Sequence, residues 1–156
     1  MLKKRIIPKF LFQFQNIDGE LFPAFFTSRN FSQLKIIGSI IPQAKIYEAQ
    51  LADELMILNI TDSQCAKDIK FLNFLKKFSE QIFMPLTVGG GVKTLECFEK
   101  LLNNGADKVF INSEAINNPN LIKLASEKFG SQCVVLGVDF KKIEKNRLVV
   151  FSKSGK

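Results

Sequence analysis

The chain has 156 residues, 46% hydrophobic and 24% charged, with a formal net charge of +7 and no histidine. That length suits one domain, 1–156, with a real core and an ordinary globular composition. Lacking histidine, the chain lacks the commonest general base and metal ligand, which excludes Ser/His and Cys/His catalysis. No apolar run reaches membrane-spanning length. The run after Lys3, Lys4 and Arg5 is broken by Pro8, Lys9 and Gln13 and has no small-residue cleavage site. A signal peptide is therefore rejected, and the expectation is a cytoplasmic protein without a membrane partner. Cys65, Cys97 and Cys133 are scattered and odd in number, which argues against a disulfide framework, and their spacing fits no metal site. No cofactor or metal is expected. The positive charge sits in stretches such as Lys67–Lys77 and Lys141–Lys156, without a nucleic-acid-binding motif. It reads as solvated helix faces, and no nucleic acid partner is expected.

Along the chain, Arg5–Phe14 reads as a strand despite Pro8. The Phe-, Asn- and Ser-rich stretch to about Gly38 has no clean period and reads as a long loop with room for a hairpin. A helix starts at Gly38-Ser39-Ile40-Ile41-Pro42 and continues through Ile46, Tyr47, Ala49 and Leu51 to Ala52. Asp53–Ile60 is a near-continuous apolar run, the pattern of a buried parallel strand. Ile69, Leu72, Phe74, Leu75 and Phe78 form the core stripe of the next helix.

Met84–Val88 is a third strand, and it runs into Gly89-Gly90-Gly91. Such a turn is either a phosphate cradle, with backbone N–H groups closing on an anion, or a tight strand-to-helix turn without a ligand. Thr94–Asn104 follows as a helix with Leu95, Phe98, Leu101 and Leu102 inward, and Gly105 ends it. Lys108–Asn112 is the fourth strand. Asn118 caps and Pro119 opens a helix that stops at Gly130. Cys133–Phe140 is a fifth strand ending in Asp139, and Lys141–Asn146 turns the chain into Leu148–Ser152. Strands alternating with helices imply an α/β fold with a parallel sheet. A closed (βα)8 TIM barrel needs about 250 residues. About four βα units plus a fifth strand therefore make a truncated or half barrel, expected to pair with a second half-barrel or with itself.

Taken together, Arg5-Ile6-Ile7-Pro8, Pro85–Val92, Gly105–Ser113, Phe129–Val135 and Phe151–Lys156 resemble the cyclase subunit of imidazole glycerol phosphate synthase. The likeness runs from Ala52 to the end and is weak between Lys9 and Ile37. That family is a phosphate-binding (βα)8 barrel of histidine biosynthesis, a lyase that takes ammonia from a glutaminase docked on its bottom face. The resemblance implies a glutaminase partner and a phosphorylated small-molecule substrate.

Of the two aspartates that carry the family's acid–base work, the first falls on Leu11 and the neighbouring family cysteine on Lys9. The second is placed in the half of the barrel beyond this chain. No catalytic residue is intact, and a leucine cannot move protons. Gly91, Asn112 and Ser113 match the phosphate site, Asp139 matches a strand-end aspartate of the active site, and Asn59 stands where the family has an aspartate. Arg5, Glu54 and Lys108 match the charged ring that gates ammonia, and inward charges at strand starts call for mutual pairing. Phe110 stands where the family has a small polar residue and would narrow an ammonia path. Lys9, if it points inward, would pair with Asp139 or act as a base of lowered pKa. Three functions compete: a cyclase-type subunit of histidine biosynthesis; a related barrel feeding ammonia to surface-sugar amidation; and a non-catalytic remnant that binds a glutaminase or phosphorylated ligand. Leu11 favours the second, and the missing carboxylates and length support the third.

Overall fold

The structure is a computed structural model and describes residues 4–29, 33–61, 65–143 and 147–151. Strand β1 (Lys9–Ile17) continues through a hairpin into β2 (Glu20–Arg29), and β3 (Gln33–Ser39) lies antiparallel beyond it. Helix α1 (Ile40–Ala49) leads to β4 (Leu55–Asn59), α2 (Ile69–Ser79) to β5 (Leu86–Gly89), and α3 (Leu95–Asn103) to β6 (Lys108–Ile111). Two helices follow, α4 (Ser113–Asn117) and α5 (Asn120–Phe129), before β7 (Val134–Leu136). The seven strands form one sheet in the order β3-β2-β1-β4-β5-β6-β7, and β1, β4, β5, β6 and β7 run parallel. This is the α/β architecture of a partial (βα) barrel with a β-hairpin attached to its first strand.

Several boundaries depart from the sequence reading, each for a local reason. The first ladder begins at Lys9, not Arg5. Pro8 has no N–H to give, although its carbonyl accepts from Met56 N at 2.9 Å, so residues 5–8 still lie along the β4 segment. The stretch expected as a long loop with room for a hairpin is strand for most of its length, built on a hairpin. Asp18 (φ 52°) and Gly19 (φ 90°) are both left-handed, the pair that a two-residue hairpin turn demands. Asn16 Oδ1 accepts from Gly19 N at 3.0 Å and closes the turn.

Helix α1 stops at Ala49, short of Ala52, where Leu51 turns left-handed (φ 61°) and points into solvent. In α2 it is Phe71, not the exposed Ile69, that joins Leu72, Leu75 and Phe78 in the core. Asn118 does not cap α5 with its side chain. It closes the unexpected helix α4, and Pro119 occupies the N-cap. The fifth strand divides at Gly137: β7 joins the large sheet, whereas β8 (Asp139–Lys142) pairs with β9 (Leu148–Phe151) in a separate hairpin. The end of the Lys141–Asn146 turn and the tail after Phe151 fall outside the described residues.

The core lies between the sheet and the helices. Phe12 is fully buried, with ring centroids of Phe74, Phe71 and Phe14 at 4.6, 5.1 and 5.1 Å. Alternation on each strand then puts the opposite residues on the concave, barrel-interior face. In register across five strands that face carries Leu11, Leu58, Gly89, Phe110 and Val135.

Candidate functional site

The two ends of the parallel strands carry different chemistry. At the N-terminal end, Glu54 stands just before β4 and is buried, with 3% of its surface exposed. Its Oε2 accepts from Lys108 Nζ at 2.5 Å and faces Arg5 Nη1 at 3.5 Å, and Thr87 Oγ1 donates to its Oε1. Burial works against the charge on Glu54. The Lys108 and Thr87 hydrogen bonds, with the charges of Lys108 and Arg5, outweigh burial and hold the carboxyl below its ordinary value. Arg5, Glu54 and Lys108, expected to pair, are thus brought together. Thr87 is the member that sequence reasoning missed. Its signal was a polar residue in an otherwise apolar strand, in register with Met56 and Lys108.

At the C-terminal end lies a cavity of about 540 Å³, lined by Asn59, Gly90, Gly91, Lys93, Asn112 and Ser113, with Phe110 on its wall. Gly90 (φ 106°) and Gly91 (φ 64°) are left-handed, and a Cβ on Gly90 would sit 1.9 Å from the Asn59 carbonyl oxygen. Only glycine permits that approach. Asn112 Nδ2 donates to Asp139 Oδ2 at 2.8 Å, which fixes the amide and leaves its buried Oδ1 without a donor among the described residues. Lys93 was not anticipated, though its place two residues past the glycine turn carries a cation to the rim. Among the described residues no group of three or more His, Cys, Asp or Glu side chains is arranged to hold a metal ion.

Other expectations meet different surroundings. Lys9 is exposed and makes no ion pair with Asp139; the carboxylate is taken by Asn112. Leu11 occupies the first parallel strand, in register with Leu58 and Phe26, and offers no proton-transfer group. Asn59 is buried within a strand-end network, donating to Asp68 Oδ2 at 3.2 Å and accepting from Thr61 N at 3.0 Å. Phe110 is accommodated by glycines on both sides. A Cβ on Gly137 would fall 2.1 Å from its ring tip, and one on Gly89 2.7 Å from its carbonyl oxygen. The ring therefore lies toward β7 instead of standing alone in the concavity.

The cysteines contradict the expectation of no disulfide. Cys65, in a short 3-10 turn at residues 65–67, and Cys97, in the first turn of α3, are joined as a disulfide with Cα atoms 5.8 Å apart. Their separation of 32 residues hid a contact that the α/β winding creates by laying the β4–α2 connection on α3. Cys133 is free.

Comparison with known proteins agrees with this architecture. Residues 24–156 match the model of the family described as "Histidine biosynthesis protein". The imidazole glycerol phosphate synthase subunit HisF of Methanococcus vannielii is 46% identical over 142 residues, covering 91% of this chain and 49% of that protein. HisF of Methanococcus maripaludis (strain DSM 14266) is 45% identical with the same coverage. A hisF2 protein of Prochlorococcus marinus (strain MIT 9313), named for the same synthase, is 44% identical, with 54% of its length covered. The chain spans about half the length of these relatives, and it belongs to the histidine biosynthesis protein family.

Proposed function

We propose that this chain is the phosphate-binding, ammonia-admitting half of a HisF-type barrel, working with a glutaminase docked beneath the strand N-termini. The observation that carries the reading is the cavity at the C-terminal ends of β4–β6. Its wall is two left-handed glycines whose backbone N–H groups can close on an anion, with Lys93 and Ser113 beside them. Asn112 Oδ1 calls for a hydroxyl or N–H on the ligand, so a phosphorylated polyol or aminated sugar suits the site better than bare phosphate. Asp139, held by Asn112, is the carboxylate at hand for proton transfer. At the opposite end, the Arg5–Glu54–Lys108 cluster closes the strand starts and would admit ammonia when a partner displaces Arg5, its most exposed member.

The cyclisation that the resemblance to the synthase's cyclase subunit implies would need a proton-transfer group on the first strand, where this chain has Leu11. That favours a second reading, in which ammonia passes to a separate acceptor such as a surface sugar. Titration of the full chain with inorganic phosphate and with ribose 5-phosphate tests the cavity. Saturable binding, tighter for the sugar phosphate, is expected, and no binding of either would remove the phosphate reading. The ribonucleotide substrate of the synthase supplied with ammonium salts tests the reaction. No turnover is expected from the natural chain, whereas turnover would favour the cyclase over the second reading. Leu11→Asp then asks whether the first strand alone disarms it.

A further inference from the structure

We infer that Cys65 and Cys97 form a reversible dithiol–disulfide site that tightens the anion cavity when oxidised; this rests on the reading of that cavity as a phosphate site. The two cysteines are each 2% exposed, and their Cα separation of 5.8 Å is within the range a disulfide spans without moving the backbone. What gives the link meaning is its position between the two walls of the cavity. On one side, Cys65 O accepts from Asp68 N at 3.3 Å, and Asp68 Oδ2 accepts from Asn59 Nδ2 at 3.2 Å. Asn59 lines the cavity and its carbonyl sits against Gly90. On the other side, Cys97 N donates to Thr94 Oγ1 at 3.2 Å, which fixes the start of α3 immediately after Gly90–Lys93. A covalent bond between the sulfurs therefore ties the β4 wall to the glycine-turn wall. Without it, these walls are held by the β4–β5 ladder, which pairs Leu58 with Gly89, and by the approach of Cys65 Sγ to the Cys97 carbonyl oxygen at 4.0 Å.

Oxidation removes two protons and two electrons from the thiols, and a low-molecular-weight disulfide accepts them. One cysteine thiolate attacks a sulfur of that disulfide and releases one thiolate. The second cysteine then attacks the mixed disulfide, forms the Cys65–Cys97 bond and releases the other. Cys97 suits the first step, because it sits in the opening turn of α3, where helix N–H groups favour an anion. Burial of both sulfurs makes the exchange slow unless the 65–67 turn lifts, so the crosslink should persist once formed. Cys133, a free thiol on the α5–β7 connection, takes no part.

The test uses the full chain equilibrated with oxidised glutathione or with dithiothreitol, then alkylated under denaturing conditions and mapped by mass. One alkylated cysteine, Cys133, and a Cys65–Cys97 peptide pair are expected after oxidation, against three alkylated cysteines after reduction. Three alkylated cysteines in both states would overturn the proposal. Inorganic phosphate should bind about fivefold more tightly to the oxidised chain, and Cys97→Ser should bind like the reduced chain in either medium. Equal affinities in the two states of the natural chain would overturn the coupling. If phosphate binds neither state, the cavity reading fails by itself. The clamp is then judged by melting temperature, expected about 10 °C higher when oxidised for a loop of this length. Equal melting temperatures would overturn it.

Discussion

At the N-terminal ends of β4–β6 the buried carboxylate of Glu54 has three partners, whereas at the C-terminal ends the buried oxygen of Asn112 has none among the described residues. Both are polar groups taken out of water, and under the proposed function that difference separates a group placed for the fold from one placed for a ligand. A buried charge survives only when it is answered within the protein. A buried acceptor left open costs about 1–3 kcal/mol until something donates to it. The closed end should therefore respond to mutation mainly in stability, and the open end mainly in binding.

The largest effect is expected at the closed end. Glu54→Ala leaves Lys108, Arg5 and Thr87 without their common acceptor, and the loss should be about 3–5 kcal/mol in urea denaturation. The pH dependence has a definite sign. The folded-state value of Glu54 is depressed below the ordinary 4.5, so its contribution is complete above that value and disappears as pH falls through the lower folded one. The natural chain should lose stability below about pH 4.5 more steeply than Glu54→Gln. Parallel curves for the two proteins would show that the cluster does not hold the carboxylate.

Next comes the turn that shapes the open end. Gly90→Ala introduces a Cβ at a left-handed φ and 1.9 Å from the Asn59 carbonyl oxygen, and nothing in a backbone carbonyl yields cheaply. The expected cost is about 3 kcal/mol, with phosphate binding lost at temperatures where the variant is still folded. A variant that melts lower yet binds phosphate normally would separate the turn from the cavity.

The concave face between the two ends gives a smaller and reversible effect. Gly137→Ala presses on the tip of the Phe110 ring and should cost about 1–2 kcal/mol. The same change in a Phe110→Ala background should cost much less, because the atom it meets is gone. The double-mutant cycle measures this coupling directly. An additive result would mean that the ring does not lie over Gly137 in solution.

How much of this was legible from residues alone depends on the range of the interaction. The parallel strands and the glycine turn were readable, because apolar runs and consecutive glycines leave marks within a few residues, whereas Arg5, Glu54 and Lys108, paired over 49 and 54 residues, were grouped by the resemblance to the synthase subunit. The Asp18-Gly19 hairpin was readable in principle, since that dipeptide is a hairpin signal, but the Phe-rich flanks have no clean alternation and obscured it. Thr87 as a partner of Glu54, and Cys65 as a partner of Cys97, were not readable. Both pairings span more than 30 residues and exist only because the winding lays one βα unit on the next. The expected Lys9–Asp139 pair failed for a related reason. Asp139 begins a strand of the separate hairpin and is already held by Asn112, while Lys9 stays in solvent.

The smallest effect is the one that isolates the open end from everything else. Ser113 opens α4 at the cavity rim and is half-buried, so Ser113→Ala removes one hydroxyl without a cavity or a charge. Stability should change by less than about 1 kcal/mol, while affinity for a sugar phosphate should fall about fivefold, the worth of one ordinary hydrogen bond of about 1 kcal/mol. Lys93→Ala should weaken the same binding by a similar factor at low salt and by less at high salt, because its charge is exposed and screened. If the Ser113 change moves stability and leaves affinity alone, its hydroxyl serves the helix start, and the ligand is held by the backbone of the glycine turn.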